Sequence, residues 1–549
     1  MYVVMIDTAG KQRFIFSSGK RQEIVGASEL IARVDGLWAE QALSEMFPGF
    51  AEDTWRIETH DAELLVAGAG RLTVLVRERD AGRRLVKVLT CRALKEAPGL
   101  DVCGVVVAYE PGSLAARIGE ARTELAAVRE ARPGPQSRFL RLPVVEDCAS
   151  SGLPAVMIRP EGRDEPPQPR SAAARGKLAV YQPAREWSVK NPDADRPGTG
   201  GSALDRLAEL AGTGREGMRR IVDELGLRAD WVAVVHADGN GLGEIFRRLD
   251  ESSMGDGDRA YADALRDFSA GVDRCGKEAF AEALRRTSEE LGERPLPVLP
   301  LVLGGDDLTV VCEGEVALPF TRHYLEAFEE ATATDPALSP MLEACGRDRL
   351  GAGAGVAIVK RNYPFHFAYE LAEKLTEVEA KGVEKDERGE RVKDWGSALA
   401  FVVLFESAAP DLERIRASVT LSGGSGGSAS PYLVGEGSGD DRARGRRWED
   451  LERRVTALTR SDPGSKEPLI PRGAAHDLRE GVCLGAEVAE ARFELLLRRF
   501  GEDLERRSAL LELTEEGRLL WPDHQEKTVT GLLDAMAALP FLKVKEGAE

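Results

Sequence analysis

The sequence lacks the features that mark membrane proteins, secreted proteins and zinc ribbons. No apolar run reaches the roughly 20 residues of a membrane span, and residues 1–6 meet Asp7 with no basic region before them. We therefore expect neither a membrane span nor a signal peptide. The seven cysteines form no CxxC pair and their number is odd, which favours a reduced, cytoplasmic protein without a zinc site.

Positive charge is also scarce. Lys and Arg number 74 against 93 Asp and Glu, which gives a net charge of -19 and a pI near 5.1. Because phosphate binding relies on Lys and Arg, this balance argues against a protein that binds nucleic acid by itself. It leaves open a local basic groove, or a partner that carries RNA.

What the chain does have is a Gly-Gly-Asp-Asp motif between two apolar runs, in 299–312 (LPLVLGGDDLTVVC). This pattern predicts a tight β-hairpin with Gly304, Gly305, Asp306 and Asp307 at its tip. Adjacent carboxylates on a stiff turn can hold divalent cations against phosphate oxygens, and glycines let a nucleotide approach the backbone. The tetrapeptide by itself fits a solvated turn equally well.

A second acidic residue, Asp238, ends the predicted buried strand 231–237 (WVAVVHA) and begins a glycine-rich turn into a helix. The free backbone N–H groups of such a turn suit a triphosphate. The residues of this predicted nucleotide-binding turn are Gly239, Asn240, Gly241, Leu242 and Gly243. Lys381 ends the predicted helix 364–380 and could reach a phosphate, although an exposed solubilising lysine is the competing interpretation.

The chain repeats one order of elements: strand, helix, Gly-rich hairpin, helix, strand. From Asp7 to Gly68 is 61 residues, and from Asp238 to Gly304 is 66, which suggests a duplicated α/β unit. The first hairpin tip, Ala-Gly-Ala-Gly at 67–70, has no carboxylate. We therefore expect the first copy to be structural and the second to carry the site.

The remaining segments predict less regular structure and then helices. Residues 132–229 are irregular, with Pro- and Arg-rich loops, and Cys148 there is best explained as a free buried cysteine. Residues 398–405 predict a strand, and the Gly/Ser-rich 422–439 a flexible loop. Predicted helices cover 448–459, 486–513 and 527–539. A cluster of four arginines in the C-terminal segment is better explained as a solvated face than as an RNA contact. These residues are Arg442, Arg444, Arg446 and Arg447.

The order of these motifs resembles a known family. Asp238 with its Gly-rich turn, the GGDD hairpin, the 351–354 strand, the Pro364 helix and Lys381 resemble the second palm of the large subunit of type III CRISPR effector complexes, a palm related to GGDEF cyclases. The N-terminal run IDTAGKQRFIFSSGKRQEIVGASELI resembles the first palm of that family, with its ID-x-x-G-x-Q-x-F-I opening. The resemblance covers roughly residues 1–110 and 230–405.

The resemblance implies an α+β fold with two ferredoxin-like palm domains and a helical C-terminal domain. We expect a degenerate first palm at 1–131, a linker and zinc-ribbon remnant at 132–229, a catalytic GGDD palm at 230–410, and C-terminal helices at 411–549. The implied activity is metal-dependent synthesis of cyclic oligoadenylate from ATP. The implied partners are RAMP-type subunits that carry guide RNA and target RNA.

By motif position, Asp238, Asp306 and Asp307 would be catalytic and would hold two Mg²⁺ or Mn²⁺ ions. Gly304 and Gly305 would make room for the nucleotide, and Lys381 would contact phosphate. Asn240 stands where the family often has a second acid. An amide oxygen can still ligate a metal but carries no charge.

No HD nuclease is expected, because the six histidines are dispersed. Two other functions stay open. The chain could be a non-catalytic scaffold subunit of a guide-RNA complex, or a GGDEF-like cyclic dinucleotide synthase. The double palm argues against the second of these, and a requirement for GTP would identify it.

Overall fold

The computed structural model describes residues 1–159, 166–181, 201–225, 230–252, 257–292, 296–384, 396–405, 411–418, 427–435, 443–462, 464–523 and 526–543. Within them the chain forms the predicted α+β fold, with two sheets of four and six strands and a helical C-terminal part. None of the described helices is both long enough and apolar enough to cross a membrane.

The first palm is a four-stranded sheet in the order β2-β3-β1-β4, with every neighbouring pair antiparallel. Its strands are β1 Tyr2–Ala9, β2 Ala62–Gly68, β3 Arg71–Val76 and β4 Asp101–Ala108. Its helices are α1 Lys11–Ile15, α2 Arg21–Asp35, α3 Leu37–Met46, α4 Arg79–Glu96 and α5 Leu114–Ala131. The apolar strand β1 lies in the middle of the sheet, where both of its faces are covered.

The middle region is more regular than the sequence analysis predicted. It contains β5 Ala155–Arg159, β6 Gln168–Ser171, α6 Ala172–Tyr181, α7 Ala203–Leu210 and α8 Arg215–Glu224. The helices form because they can bury one face against the first palm; α6 packs so closely on α2 that a Cβ on Gly26 would lie 1.9 Å from the Lys177 carbonyl oxygen. Cys148 is buried and free, as predicted, and its Sγ lies 3.3 Å from Ser150 Oγ.

The second palm repeats the first. Its sheet runs β8-β9-β7-β10, the same order as β2-β3-β1-β4, and β11 and β12 extend it beyond β10. Its strands are β7 Trp231–Gly239, β8 Val298–Gly304, β9 Asp307–Glu313, β10 Ala352–Lys360, β11 Ser397–Val403 and β12 Tyr432–Val434. Its helices are α9 Leu242–Ser252, α10 Gly257–Leu291, α11 Gly314–Thr334, α12 Ser339–Ala344 and α13 Phe365–Lys374.

Two hydrophobic cores run through both palms, one on each face of the sheets. Val3 and Met5 of β1 share one core with Ala233 and Val235 of β7. The alternate residues of both strands, such as Val4 and Val232, lie in the other core. Because successive side chains of a strand point to opposite faces, both central strands contribute to both cores, and the two palms pack as one unit.

The C-terminal part corrects three of our predictions. It contains α14 Leu412–Ser418, α15 Trp448–Thr459, α16 Arg472–Leu484, α17 Ala486–Arg499, α18 Leu504–Leu511, β13 Trp521–Pro522, β14 Thr528–Val529 and α19 Leu532–Ala538. The single helix predicted over 486–513 is two helices, because Gly501 adopts a left-handed φ of 57° between them. The helix predicted over 527–539 is a short strand followed by α19. The third correction concerns Arg446, which is buried and donates to Asp523 at 3.0 Å, so it is not part of a solvated face.

Other predictions for this part concern residues outside the described set. Arg442 and half of the predicted loop 422–439 lie there. The described half, 427–435, departs from the loop prediction because it contains strand β12. Strand β12 lies beyond residue 410, where we expected the second palm to end, but it pairs with β11. The sheet of the second palm therefore continues into the C-terminal part. The four domain boundaries themselves stay predictions.

Candidate functional site

The candidate site lies where β7 ends beside the β8–β9 hairpin. Gly304 pairs with Asp307, which leaves Gly305 and Asp306 as a two-residue turn, and Gly305 has a φ of 62° that suits glycine. The β7–β9 register pairs Ala237 with Leu308, so the next residue of β7, Asp238, comes beside Asp307. The fold therefore brings together the three acids that the sequence predicts.

Gly239 is needed for this close approach. A Cβ on Gly239 would lie 2.8 Å from the Cβ of Asp306 and 2.9 Å from Leu242 Cδ1. Such distances are shorter than real carbon atoms adopt, so any side chain there would push the hairpin away from the end of β7. The glycine that we predicted to bind nucleotide thus has a demonstrable packing role.

Lys381 also lies at the site. Its Nζ donates to the Asp238 carboxylate and, at 3.2 Å, to the carbonyl oxygen of Gly239. The side chain crosses Gly353 on β10, where a Cβ would lie 2.9 Å from Lys381 Cγ. Lys381 is therefore an ordered cation of the site, and the interpretation as a merely solubilising lysine is not needed.

The other two acids carry charge that is less well compensated. Burial and then the neighbouring Asp238 carboxylate raise the pKa of Asp306 to about 7. Burial also raises the pKa of Asp307, while His236 and Lys11 act in the opposite direction. One oxygen of Asp307, Oδ1, is buried without a hydrogen-bond partner. The hairpin tip is thus a place where a further positive charge would be favourable.

The first palm contributes a cation that the sequence analysis missed. Lys11 donates to the carbonyl oxygen of Ala69 at the tip of the β2–β3 hairpin, and Asp307 is the nearby charge that acts on it most strongly. Burial lowers the pKa of Lys11. Ala69 also approaches Gly304, where a Cβ would lie 3.3 Å from the Ala69 backbone nitrogen. The two hairpin tips are therefore in contact, and Ala69 of the first palm occupies the space beside Gly304.

His236 is a second residue that the analysis missed. It precedes Asp238 by two residues on β7, so both side chains lie on the same face. Its Nδ1 is 3.6 Å from Asp307 Oδ1 and 3.3 Å from Thr309 Oγ1. The period-two pattern of WVAVVHAD could have identified it. The His236 ring packs edge-on against Tyr369, with ring centroids 5.5 Å apart.

Tyr369 connects the site to a cavity of about 700 Å³ between the two palms. Phe16 of the first palm stacks on Tyr369 with ring centroids 5.0 Å apart. The other walls come from the β1–α1 turn, α13 and the middle region, and include Gln12, Arg13, Asp101, Phe139, His366, Glu370 and Glu373. This volume is in the range of small-molecule sites. A larger cavity, of about 1050 Å³, has no predicted site residue in its lining.

The Gly-rich turn after Asp238 is more crowded than expected. Leu242 lies in a hydrophobic core, and its Cδ1 atom packs against Gly239 of the same turn. Asn240 is buried, and neither its Oδ1 nor its Nδ2 has a hydrogen-bond partner. Gly241 has a φ of 75°, and a Cβ there would lie 2.8 Å from Arg347 Nη2. Arg347 thus places a guanidinium at this turn, and no sequence pattern had indicated it.

Gly305 and Gly243, the remaining two predicted residues, have open space beside their backbone. Gly305 donates its N–H to Asp273 Oδ1 at 3.0 Å, and neither Gly305 nor Gly243 has an atom near the position of a Cβ. Lys374, the last residue of α13, is exposed. The structure therefore gathers Asp238, Asp306, Asp307, Gly239 and Lys381, while Leu242 packs in a hydrophobic core and Ala69 lies against Gly304.

The negative charge of the acidic cluster would favour binding of a divalent cation. Within the described residues, no group of three or more His, Cys, Asp and Glu side chains has the arrangement of a metal site. The unpartnered oxygen of Asp307 and the raised pKa of Asp306 are nevertheless the features that a bound cation would relieve. Asp238, Asp306 and Asp307 are the residues that would hold it.

Comparison with known proteins agrees with this geometry. Residues 231–389 match a family model described as "Cas10/Cmr2, second palm domain". This segment is therefore similar to the second palm domain of Cas10/Cmr2 proteins. The resemblance to the large subunit of type III CRISPR complexes is therefore confirmed over this palm, which contains Asp238, Asp306, Asp307 and Lys381. No curated protein matches the chain.

Several solved structures are similar to the chain that contains this Cas10-type palm. A Csm1-Csm4 cassette in complex with cA4 has 13% sequence identity and a TM-score of 0.37. The same cassette with AMPPNP has 13% identity and a TM-score of 0.36. The Csm1-Csm4 subcomplex in the type III-A CRISPR-Csm interference complex has 12% identity and a TM-score of 0.38. Each match covers 68% of this chain, but the chain spans only 51–52% of the matched chains.

Proposed function

We propose that the second palm joins ATP molecules into cyclic oligoadenylate by metal-dependent nucleotidyl transfer. The observation that carries the proposal is the meeting of Asp238, Asp306 and Asp307 at the hairpin tip of a Cas10-type second palm. Their buried and partly uncompensated negative charge is what a nucleotide–metal complex requires of a protein site.

The proposed reaction is a displacement at phosphorus. The 3′-hydroxyl oxygen of one ATP gives its proton to solvent water and forms a bond to the α-phosphorus of the next. The bond from that phosphorus to the oxygen that bridges to the β-phosphorus breaks, and pyrophosphate leaves. Repetition and a final intramolecular attack close the ring. When bound, Mg²⁺ or Mn²⁺ would stabilise the negative charge that develops on the attacking and leaving oxygens.

The protein's own residues would position the nucleotide and balance its charge. Arg347 at the Gly241 turn and Lys381 at Asp238 supply cations for phosphate oxygens. Gly243 and Gly305 leave open space beside the backbone. Tyr369 and Phe16 provide aromatic surface in the cavity between the palms, suited to a stacked base.

The proposed partners are RAMP-type subunits that carry guide and target RNA. The acidic composition of the chain, with a net charge of -19, supports an arrangement in which another subunit holds the RNA.

The test uses the purified full chain, alone and together with the subunits that co-purify with it. It is incubated with each of the four NTPs and Mg²⁺ or Mn²⁺, and the products are identified by mass spectrometry. We expect an adenylate product that disappears in the double variant Asp306→Asn, Asp307→Asn. A product made equally by this variant would refute the proposed site, and a product made from GTP would identify the cyclic dinucleotide alternative.

One observation favours a second candidate, the non-catalytic scaffold. Lys381 donates to the carboxylate of Asp238, which could replace a metal ion and keep only the shape of the palm. Mn²⁺ titration separates the two functions. If the palm is an enzyme, Mn²⁺ should raise the melting temperature of the wild type but not that of the Asp306→Asn, Asp307→Asn variant. If the palm is a scaffold, Mn²⁺ should affect the two proteins equally.

A further inference from the structure

The position of Lys381 depends on an irregular segment of the second palm. After α13 the chain continues as a π-helix, Leu375–Ala380, and then as a 3₁₀ turn, Lys381–Glu384. The wider turn packs directly on glycines of β10: a Cβ on Gly355 would lie 2.8 Å from both Leu375 Cβ and the Thr376 backbone nitrogen, and a Cβ on Gly353 would lie 3.3 Å from Ala380 Cβ. π-helical turns are rare and often occur at functional sites. Here the turn delivers Lys381 to Asp238.

Glu379, two residues before Lys381, is held by the C-terminal part of the chain. Its Oε1 accepts a hydrogen bond from Arg416 Nε at 2.6 Å, and its Oε2 accepts one from Arg416 Nη2 at 2.6 Å. Ser430 Oγ also donates to Oε2, at 3.1 Å. A two-point contact between a guanidinium and a carboxylate fixes orientation as well as distance. Only 15% of the Glu379 side chain is exposed.

The residues around Arg416 connect to α19, near the end of the described chain. Asp534 on α19 is buried and accepts hydrogen bonds from Ser428 Oγ at 2.7 Å and from the Ala429 backbone nitrogen at 2.8 Å. Tyr432 Oη on β12 donates to the same carboxylate at 2.9 Å. The segment 428–430 is therefore fixed from one side by Asp534 and contacts Glu379 on the other.

We propose that Glu379 is a positioning residue for the nucleotide site, through which the C-terminal part sets the place of Lys381. The inference rests on the proposed function, since it assumes that Lys381 serves a nucleotide. Among the described contacts, the Lys381 ammonium bonds only to Asp238 and Gly239. The position of Lys381 beside the strand ends is thus determined by the π-helical segment that precedes it. Arg416 holds that segment through its two hydrogen bonds to Glu379.

The test compares Glu379→Gln, Arg416→Lys, Lys381→Met and the double variant Glu379→Gln, Lys381→Met. The affinity for a non-hydrolysable ATP analogue with Mn²⁺ is measured by calorimetry on the full chain. We expect Glu379→Gln and Arg416→Lys to weaken binding about threefold to tenfold. The double variant should bind no more weakly than Lys381→Met alone, because Glu379 acts through Lys381. Additive losses, or unchanged binding in Glu379→Gln, would overturn the proposal.

A second readout and a matched control separate positioning from general stability. Hydrogen exchange over 375–384 should become faster in Glu379→Gln. Glu512 is held by Arg460 in the same two-point way, at 3.0 and 2.9 Å, within the C-terminal part. We expect Glu512→Gln to lower stability without changing exchange over 375–384 or the affinity for the analogue.

The exchange measurement also keeps this proposal distinct from the proposed function. Absence of analogue binding by the wild type would refute nucleotide use by the site. In that case the exchange at 375–384 in Glu379→Gln still decides whether Glu379 holds the segment that carries Lys381. Unchanged exchange there would overturn the positioning role.

Discussion

The two palms share a strand order but place opposite charges at the same positions. In β2-β3-β1-β4 the hairpin pair is Gly68 with Arg71, and Asp7 on β1 lies opposite Arg71. In β8-β9-β7-β10 the hairpin pair is Gly304 with Asp307, and Asp238 on β7 takes the place of Asp7. Arg71 therefore corresponds to Asp307. The first palm has an ion pair where the second has two neighbouring acids.

The helix that follows the fourth strand continues the correspondence. In the first palm, Arg129 of α5 contacts the Asp7 carboxylate, which also has Arg71 Nε at 3.8 Å. In the second, Lys381 beyond α13 contacts the Asp238 carboxylate. Two arginines of the first palm surround its one acid, whereas the second palm itself contributes one cation, Lys381, for three acids, and Lys11 approaches Asp307 from the first palm. The same backbone thus supports a neutralised structural copy and a copy that needs further positive charge.

The largest effect that this comparison predicts is on catalysis. Asp306→Asn with Asp307→Asn removes the charge that distinguishes the second palm, so we expect product formation to fall by about a hundredfold or more. Mass spectrometry of the ATP reaction measures it. The same variant should melt at a higher temperature than the wild type without metal, because two buried like charges are gone. A lower melting temperature would contradict the electrostatic account of the hairpin.

The first palm should respond in the opposite way. Asp7→Asn leaves Arg129 and Arg71 without their acid, and we expect a loss of about 2 kcal/mol in the free energy of unfolding. This value is below that of a fully buried pair, because the side chains of Arg129 and Arg71 are 35% and 59% exposed. Urea denaturation followed by circular dichroism gives the comparison. If Asp7→Asn stabilised the protein as Asp306→Asn does, the two palms would not differ as we describe.

Local sequence patterns indicated the acids of the site and Lys381, but they did not indicate its other cations. Asp306 and Asp307 stand between two apolar strands, and Asp238 follows a buried strand, so local patterns predicted their place. Lys11 and Arg347 lie in other segments of the chain and meet the site only through the packing of the first palm and of the loop before β10. His236 had a usable signal, the period of two that places it beside Asp238.

Errors in the predicted elements have the same origin. A run of apolar residues at helical spacing does not show that Gly501 will adopt a positive φ and divide 486–513 into two helices. The irregular composition of 132–229 likewise did not show that α6 could pack on Gly26 of α2. In both cases the deciding contact or dihedral angle was not encoded in the local periodicity.

The pH dependence of stability tests the acidic cluster without any substrate. The pKa of Asp306 is raised from 3.8 to about 7, so the folded protein binds more protons than the unfolded chain between these values. Its stability should therefore fall as pH rises from about 4 to about 7. Relative to the wild type, Asp306→Asn should gain about 1–2 kcal/mol over this range, after allowance for partial solvent access. Unfolding curves at pH 4.5 and 7 measure this, and a pH-independent difference between the two proteins would be inconsistent with it.

The smallest predicted effect concerns Arg347, for which the first palm offers no counterpart in our comparison. The guanidinium lies against Gly241, so Arg347→Gln should weaken binding of an ATP analogue about threefold to tenfold through loss of a phosphate contact. Because Arg347 is not in a hydrophobic core, the melting temperature should stay within about one degree. Arg248 on the adjacent α9, which donates to Glu244 at 3.3 Å, provides the matched control as Arg248→Gln. Equal losses of affinity in both variants would indicate a general effect of surface charge. Lys381 and Lys11 would then be the cations that balance the three acids of the second palm, without Arg347.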